Sequence, residues 1–436
     1  MKISFIGSGY VGLVSGVCMA DFGHDVICMD IDNKKIEQLN KCKIPIFEPG
    51  LTELIKKNIN EKRISFSSNI DQTVSNSDII FIAVGTPSDK NGNVKIKYIF
   101  NAIKNIIPYI DSYKVIVIKS TVPPGTASKI KKYVKDLKLN NSLYDIVSNP
   151  EFLREGSAIK DFMIPDRIVI GSSSKKAVDL VKKIYDPLFL RDIPLIKTSH
   201  ETAELVKYST NAFLATKISF INEIGLLCNK LNADVKTISN SLGLDGRISP
   251  KFLHPGPGFG GSCFPKDTKA LAYLSRSQGV SMKTVEAAIE TNRMQKDLMV
   301  KKMKRLVGGK FRGKQIAILG LTFKPNTDDV RDSASINMIN MIKSEGGDIR
   351  AYDPIANESM KSIFPDLNYY TSWEDACKNA DGVAIMTEWN EFRGISLPLL
   401  KSLLKSPILL DTRNIFRLEN LEKNNFTYEN VGRSSI

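Results

Sequence analysis

The residues with the clearest chemical potential lie in one glycine-rich stretch that contains a cysteine. It reads GPGFGGSCFPKD from Gly256 to Asp267, with the cysteine at Cys263. Glycines give a backbone that ligands can approach closely, and Pro265 is suited to the first turn of a helix. A thiol at a helix N-terminus beside Lys266 is favoured as thiolate, whereas most free cysteines are buried and inert. The pattern predicts a nucleophile. Beside a nicotinamide cofactor, such a cysteine would attack an aldehyde and form a thiohemiacetal, which can lose a second hydride. Asp267 is close enough in sequence to share this site.

A second candidate site lies near the start of the chain, where a strand-like run leads into GSGYVG at residues 7–12. In such a fingerprint Gly7 allows a tight turn, Gly9 lets the backbone approach a pyrophosphate, and Gly12 lets helix and strand pack closely. The next apolar run ends at Asp30, 18 residues beyond Gly12, where a carboxylate can meet ribose hydroxyls. The sequence therefore predicts a dinucleotide site.

Asp30 also bears on the choice between NAD and NADP. A carboxylate at this position repels the 2′-phosphate of NADP, which favours NAD. Lys34 and Lys35 oppose this inference, because either could pair with that phosphate. Since the carboxylate stands at the strand end itself, we expect NAD.

Two further polar turns follow apolar runs of the first half. Thr86 lies in VGTPS at residues 84–88, and Thr121 lies in KSTVPP at residues 119–124. The carboxyl ends of parallel strands are where open α/β sheets bind ligands. Both turns are thus candidates for contact with the nicotinamide half of the cofactor.

Two charged or polar pairs complete the candidates. Lys207 and Asn211 are four residues apart on a predicted helix, so they share a face and could stabilise an alkoxide or oxyanion. Glu151 and Glu155 stand in NPEFLREG after another strand, where charge placement at a helix N-terminus is a credible structural role.

The elements that must position these residues alternate between strand and helix patterns, which predicts parallel sheets with helices on both faces. The candidate strands are Lys2–Ile6, Asp25–Asp30, Asp78–Val84, Lys114–Lys119, Tyr144–Ser148, Arg167–Gly171, Gln315–Leu321, Asp348–Asp353, Gly382–Glu388 and Pro407–Asp411. We predict an α/β fold with two Rossmann-like doubly wound domains, joined by a long central helix and a helical middle domain. The expected boundaries are 1–197 for a first α/β domain, which carries the dinucleotide site, 198–310 for the helical middle domain and 311–436 for a second α/β domain. The long helix is predicted from His200 to about Leu231. A further helical stretch is predicted from about Asp267 to Val307.

Composition excludes several other classes. The chain has 436 residues and a net charge of +14, but its lysines are spread evenly and accompany no nucleic-acid-binding motif. Six scattered cysteines and three histidines indicate neither a disulfide framework nor a metal site. No apolar run approaches the roughly 18 residues that span a bilayer, and no secretory leader is visible. We therefore expect a cytoplasmic protein with no metal, no nucleic-acid partner and no membrane association.

Several motifs together resemble one enzyme family. They are GSGYVG at 7–12, FEPGL at 47–51, KSTVPPGT at 119–126, NPEFLREG at 149–156, ELVKYSTNAF at 204–213, GFGGSCFPKD at 258–267 and LTFKPNTDDVRDS at 321–333. With these the chain resembles the UDP-glucose/GDP-mannose dehydrogenase family over nearly its full length. The resemblance implies oxidation of the C6 alcohol of a nucleotide sugar to a carboxylate with two NAD and one water. The PDRIVIG and NAFLATKISFINEI segments are more similar to the UDP-glucose branch, which makes UDP-glucuronate.

The resemblance also implies roles for individual residues. Cys263 matches the nucleophile of the family, and Lys207 and Asn211 match the pair that holds the reacting oxygen. Asp267, Thr121 and Glu151 match the residues that order and activate water. NAD-contact positions are matched by Gly7, Gly9, Tyr10, Val11, Gly12, Asp30, Lys35, Thr86, Thr121, Glu155 and Arg331. Positions that contact the nucleotide sugar are matched by Glu151, Lys207, Asn211, Arg247, Phe259, Gly260, Lys324 and Arg413. In the family the arginine at position 247 reaches into the partner subunit, which implies a homodimer built on the long helix. Lys35 stands where some relatives carry arginine.

Two alternatives remain at this point. The same chemistry could act on another nucleotide sugar, GDP-mannose or a UDP-N-acetylhexosamine. A non-catalytic NAD-sensing or polyanion-binding protein could also keep this fold, but retention of Cys263, Lys207 and Asp267 argues against that alternative.

Overall fold

The computed structural model describes residues 1–433, apart from the side chains of residues 189–191. The chain divides into two compact units, Met1–Thr210 and the part that begins at Asn211. The boundary falls inside one long helix, α9, which spans His200–Leu231 as predicted. The three-domain division made from the sequence stays a prediction.

The first unit contains a sheet of eight strands, which lie in the order β3-β2-β1-β4-β5-β6-β7-β8. The strands are β1 Lys2–Ile6, β2 Asp25–Met29, β3 Ile64–Ser67, β4 Ile79–Ile82, β5 Lys114–Ile118, β6 Tyr144–Ser148, β7 Ile168–Gly171 and β8 Leu195–Thr198. The α-helices are α1 Tyr10–Asp21, α2 Asn33–Asn40, α3 Leu51–Asn60, α4 Ile70–Ser75, α5 Lys97–Ile106, α6 Thr126–Asp136, α7 Ala158–Met163 and α8 Lys175–Lys183. Short 3₁₀ helices cover Ile107–Tyr109, Asn141–Leu143 and Asp186–Arg191. Because helices cover both faces, the central strands β4 and β5 are buried along their whole length.

One strand pair corrects the prediction of a parallel sheet. β6 and β7 are antiparallel, with Ser148 opposite Gly171, whereas the other pairs of the sheet are parallel. The connection between them carries α7, which packs on α1. The chain therefore re-enters the sheet from its opposite end, instead of making the crossover that a parallel pair requires.

The second unit begins with helices and ends with a smaller sheet. The helices that follow α9 are α10 Val235–Leu244, α11 Phe264–Ser277 and α12 Lys283–Leu306. The later helices are α13 Ala334–Ser344, α14 Asn357–Lys361, α15 Trp373–Cys377, α16 Asn390–Arg393, α17 Leu397–Leu403 and α18 Leu418–Lys423. The strands are β9 Gln315–Leu319, β10 Asp348–Tyr352, β11 Asn368–Tyr369, β12 Gly382–Ile385, β13 Ile408–Asp411 and β14 Thr427–Asn430, in the order β11-β10-β9-β12-β13-β14. All five strand pairings are parallel, so the predicted second doubly wound region is confirmed.

The predicted helical stretch from Asp267 to Val307 is two helices in the structure. The break between α11 and α12 contains Gly279, whose φ is +72°. Glycine adopts this left-handed conformation without the steric cost that other residues carry. Among residues 1–433, every helix is too short or too polar to cross a bilayer.

Candidate active site

The first glycine motif forms the turn between β1 and α1. Gly7 has a φ of +102°, and a Cβ on Gly12 would lie 1.9 Å from the carbonyl oxygen of Gly7. Both positions therefore require glycine. A Cβ on Gly9 would meet open space, and Gly9 begins α1 without a capping side chain. The helix N-terminus and the open second glycine fit a bound pyrophosphate.

Asp30 follows β2 and is fixed by three hydrogen bonds. Its carboxylate accepts from the backbone N–H groups of Ser8 at 2.9 Å and Asp32 at 3.1 Å, and from the Lys35 ammonium at 2.9 Å. Burial raises the pKa of Asp30, but the Lys35 bond and the two backbone bonds outweigh it and lower that pKa below its ordinary value. The residue is thus a charged carboxylate, and Lys35 is its ion-pair partner.

Thr86 and Thr121 follow β4 and β5, which are neighbours in the sheet. Both side chains are half-buried. The two turns are tied together by Ser120, whose hydroxyl donates to the carbonyl oxygen of Val84 at 2.7 Å. The predicted placement of both turns at the carboxyl edge of the sheet is confirmed.

Glu48, of the FEPGL motif, was not among the predicted site residues. It is buried, bonds the hydroxyl of Tyr10, and accepts the N–H groups of Gly156 at 2.6 Å and Ala158 at 2.7 Å. It therefore joins the first helix of the nucleotide-binding motif to the loop that carries Glu155. Burial and the bond to Glu48 raise the pKa of Tyr10, so its hydroxyl keeps its proton.

Glu151 and Lys207 form a buried ion pair in the first unit. The Lys207 Nζ and Glu151 Oε1 atoms are 2.7 Å apart, and the side chains are only 4% and 5% exposed. Glu151 also accepts the N–H of Leu153. The sequence picked out both residues but did not predict that they contact each other.

Lys119 is a second buried lysine near this pair and was not a predicted site residue. Its ammonium donates to Asn149 Oδ1 at 3.1 Å and to the Tyr185 hydroxyl at 3.4 Å. Burial, together with the charge of Lys207, lowers its pKa to about 8, although the charge of Glu151 acts in the opposite direction. Its place at the start of KSTVPPGT was the only signal in the sequence.

Cys263 immediately precedes α11 in the second unit, with Pro265 in the first turn. The predicted position of the thiol at a helix N-terminus is confirmed. Asp267 is only 1% exposed, and its carboxylate accepts from the Asn211 amide at 2.6 Å and from the Lys266 ammonium. Its N–H donates to the Cys263 carbonyl at 2.8 Å. The thiol and the Asn211–Asp267 bond are thereby held within one turn of α11.

The loop before Cys263 packs against residues from the last third of the chain. A Cβ on Gly260 would lie 2.5 Å from the carbonyl oxygen of Asp332, and one on Gly256 would lie 3.4 Å from Arg413 Nη1. Arg413 Nη2 donates to the carbonyl of Phe323 at 2.8 Å. These close approaches explain the glycines and bring the loop and Arg413 together.

The remaining predicted residues of the second unit have the following neighbours. Phe259 is buried in the loop, and Lys324 lies over the Phe323 ring at 5.4 Å. Arg331 pairs with Asp329 at 2.7 Å, and its carbonyl accepts the N–H of Gly261 at 2.8 Å. Arg247 lies after α10 with its side chain 88% exposed, and it pairs with Asp245 at 2.6 Å. Among the described residues, no group of three or more His, Cys, Asp or Glu side chains is placed to hold a metal.

Comparison with known proteins gives a family for this arrangement. Residues 1–189, 201–294 and 317–418 match the NAD binding, central and UDP binding domains of one family. The chain is 46% identical to the UDP-glucose 6-dehydrogenase of Rhizobium meliloti (strain 1021) over 438 residues, which are 99% of this chain and 100% of that protein. The chain belongs to the UDP-glucose/GDP-mannose dehydrogenase family.

Other members of the UDP-glucose/GDP-mannose dehydrogenase family agree in length and fold. UDP-glucose 6-dehydrogenase TuaD of Bacillus subtilis (strain 168) is 45% identical over 436 residues, which are 100% of this chain and 94% of that protein. The solved UDP-glucose dehydrogenase of the hyperthermophilic archaeon Pyrobaculum islandicum superposes with a TM-score of 0.92 at 34% identity and covers 99% of this chain and 98% of that one. NAD is thus the cofactor of the first unit, and its glycine turn and Asp30 fit that group.

Proposed function

We propose that this chain oxidises UDP-glucose to UDP-glucuronate, with the balance UDP-glucose + 2 NAD⁺ + H₂O → UDP-glucuronate + 2 NADH + 3 H⁺, where the new group is a carboxylate. The observation that carries the proposal is Cys263 at the N-terminus of α11, one turn from the Asn211–Asp267 hydrogen bond. Full-length similarity to relatives named for this activity supports the choice of substrate.

The first oxidation converts the C6 alcohol to an aldehyde. Bound NAD supplies the hydride acceptor in both oxidations. The hydroxyl proton passes to water that Asp267, Thr121 and Glu151 order. The Lys207 ammonium stabilises the negative charge that develops on the oxygen. Its buried pairing with Glu151 orients it.

The second oxidation uses the thiol. The Cys263 thiolate adds to the aldehyde carbon, and Lys207 and Asn211 hold the resulting oxyanion. Loss of a hydride from this thiohemiacetal leaves a thioester. Water activated near Asp267 attacks the thioester carbon, releases the carboxylate and regenerates the thiol.

The binding residues form two sets, one for each ligand. We assign NAD contacts to the glycine turn with Tyr10 and Val11, and to Asp30, Lys35, Thr86, Thr121, Glu155 and Arg331. We assign nucleotide-sugar contacts to Glu151, Lys207, Asn211, Arg247, Phe259, Gly260, Lys324 and Arg413. The three-domain boundaries of the sequence analysis and a cytoplasmic location belong to the same proposal.

The enzyme is proposed to work as a homodimer built on α9. Phe213, Phe220 and Leu227 stand seven residues apart on this helix and are 65%, 49% and 52% exposed. Apolar side chains at this spacing suit packing against another helix. Arg247, which is exposed after α10, is then available to the partner's site.

Mixing two inactive variants tests this arrangement. Arg247→Ala and Cys263→Ser subunits, unfolded and refolded together, should regain roughly a quarter of wild-type activity, because a mixed dimer has one site with both residues intact. If Arg247 acted within its own subunit, the mixture would stay inactive.

The activity itself is tested by NADH formation with a panel of nucleotide sugars. We expect two NADH per UDP-glucose and much lower kcat/KM with GDP-mannose or UDP-N-acetylhexosamines. A preference for one of those sugars would correct the substrate, and no NADH with any of them would indicate a non-catalytic protein.

A further inference from the structure

The glycine-rich loop from Gly256 to Phe259 is held by three buried amide side chains that the sequence analysis did not single out. They are Asn222 on α9 and Asn292 and Gln295 on α12, and they are 1%, 8% and 1% exposed. Their hydrogen bonds to the loop are to backbone atoms. We refer to these three residues as the amide clamp.

The amide clamp satisfies both backbone groups at two loop positions. Asn222 Oδ1 accepts the N–H of Gly256 at 2.8 Å, and Gln295 Nε2 donates to the carbonyl of the same residue at 2.7 Å. Asn292 Oδ1 accepts the N–H of Phe259 at 2.6 Å, while its Nδ2 donates to the Phe259 carbonyl at 3.0 Å. Asn and Gln are the side chains that offer a carbonyl acceptor and an amide donor on one group.

The amide clamp also fits the loop sterically, at Gly258. Gly258 has a φ of +107°, and a Cβ there would lie 2.8 Å from Asn292 Oδ1. Asn292 thus occupies the space of a side chain at position 258. The loop's glycines leave it little rigidity of its own, since glycine has the largest conformational entropy to lose. The clamp therefore supplies the order that the loop sequence lacks.

We propose that Asn222, Asn292 and Gln295 are positioning residues for the nucleotide sugar and for the Cys263 thiol. The loop carries Phe259, has Gly256 beside Arg413, and is followed by Gly260 and, three residues later, by Cys263. Fixing its backbone fixes all of these relative to the substrate carbon. This inference rests on the proposed function, and a misplacement of about 1 Å in such a loop can cost about 100-fold in rate.

Two variants remove the donors of the clamp with little change in volume. Asn292→Asp keeps the acceptor for Phe259 N–H but turns an oxygen toward the Phe259 carbonyl. Gln295→Met removes the donor to Gly256. We expect kcat/KM for UDP-glucose to fall about 100-fold, through both a lower kcat and a higher KM, while the KM for NAD stays within about twofold of wild type.

Ser219→Ala is the matched control. Ser219 is 3% exposed and donates to the Ala288 carbonyl at 2.9 Å, so it is a buried bond from α9 to α12 that does not reach the loop. Its loss should lower the unfolding temperature as much as a clamp variant does, yet leave both KM values unchanged.

The positioning role of the amide clamp is refuted if both clamp variants have the same kcat and KM values as Ser219→Ala. It is also refuted if kcat falls while both KM values stay unchanged, because loss of folded enzyme would give that result. Calorimetric measurement of UDP-glucose binding distinguishes failure of the positioning role from failure of the proposed function. Wild-type enzyme that binds UDP-glucose without forming NADH would refute the function, while weaker binding by Gln295→Met than by Ser219→Ala would still support the clamp.

Discussion

Asp30→Asn should move the cofactor preference from NAD toward NADP. The substitution removes one negative charge, and the single amide oxygen of asparagine can keep only one of two backbone bonds, since Ser8 N–H donates to Asp30 Oδ2 at 2.9 Å and Asp32 N–H to Oδ1 at 3.1 Å. It also frees the Lys35 ammonium from its 2.9 Å ion pair. The same change therefore removes a repulsion and supplies a cation.

The size of the change follows from Coulomb's law. At a separation of about 5 Å and an effective dielectric of about 40, each pair of unit charges interacts by about 1.7 kcal/mol. A phosphate monoester carries about 1.5 to 2 negative charges, so the Asp30 charge opposes NADP by about 3 kcal/mol, or roughly 100-fold. Weaker binding of the ribose hydroxyls should cost NAD roughly tenfold, since bonds to charged groups are worth about 1.5–3 kcal/mol.

The assay is kcat/KM for NAD and NADP with UDP-glucose at low and high salt. Wild type should prefer NAD strongly, and Asp30→Asn should shift the ratio by about 100- to 1,000-fold toward NADP. Lys35→Met added to Asp30→Asn should return part of that shift. Comparable efficiency with both cofactors in the wild type, or a ratio that Asp30→Asn leaves unchanged, would show that the lysines and not the carboxylate decide the choice.

Three other predictions concern the remaining groups. Cys263→Ser should bind both ligands and unfold near the wild-type temperature but lose steady turnover by several orders of magnitude; two NADH per sugar at a near wild-type rate would rule out covalent catalysis. Lys119→Met should raise the free energy of unfolding near pH 7 by up to about 3 kcal/mol, because burial lowers the Lys119 pKa from 10.5 to about 8. The free-energy cost of burying the charged Lys119 side chain has its full value below pH 8 and disappears as pH rises toward 10.5. The denaturation curves of wild type and Lys119→Met should therefore converge near pH 10.5. Arg331→Ala should raise the KM for NAD and Arg413→Ala the KM for UDP-glucose, and unaltered kinetics in both would refute their assignment.

The strands that sequence predicted are those buried on both faces, such as β1, β5 and β6. Runs of apolar residues mark such strands plainly. β3, β8, β11 and β14 were missed, and each lies at an edge of its sheet. An edge strand leaves part of its surface in water, and β8 has no fully buried residue, so its polar side chains hide the pattern. The antiparallel β6–β7 pair was missed because strand direction depends on where the connecting chain packs.

Residues of the site divide in a similar way. Cys263, Asp267 and the first glycine turn could be found because their function depends on neighbours close in sequence: a helix start, a proline, a strand end. Glu48, Lys119 and the amide clamp could not, because their partners are distant. Glu48 reaches Gly156 across 108 positions, and Gln295 reaches Gly256 across 39.

Glu48 and the amide clamp share one physical task, which is to form hydrogen bonds with backbone groups of a functional loop. A loop that must present its backbone to a ligand uses glycine, and a glycine loop cannot order itself. Its buried N–H and carbonyl groups then need partners from rigid elements. α12 supplies them for the loop before Cys263, as Glu48 does for the loop that carries Glu155. A glycine-rich motif in a sequence therefore implies that buried polar side chains elsewhere hold it, although only the fold says which ones. Substitutions at those side chains should change kinetics in the same direction as changes in the motif itself.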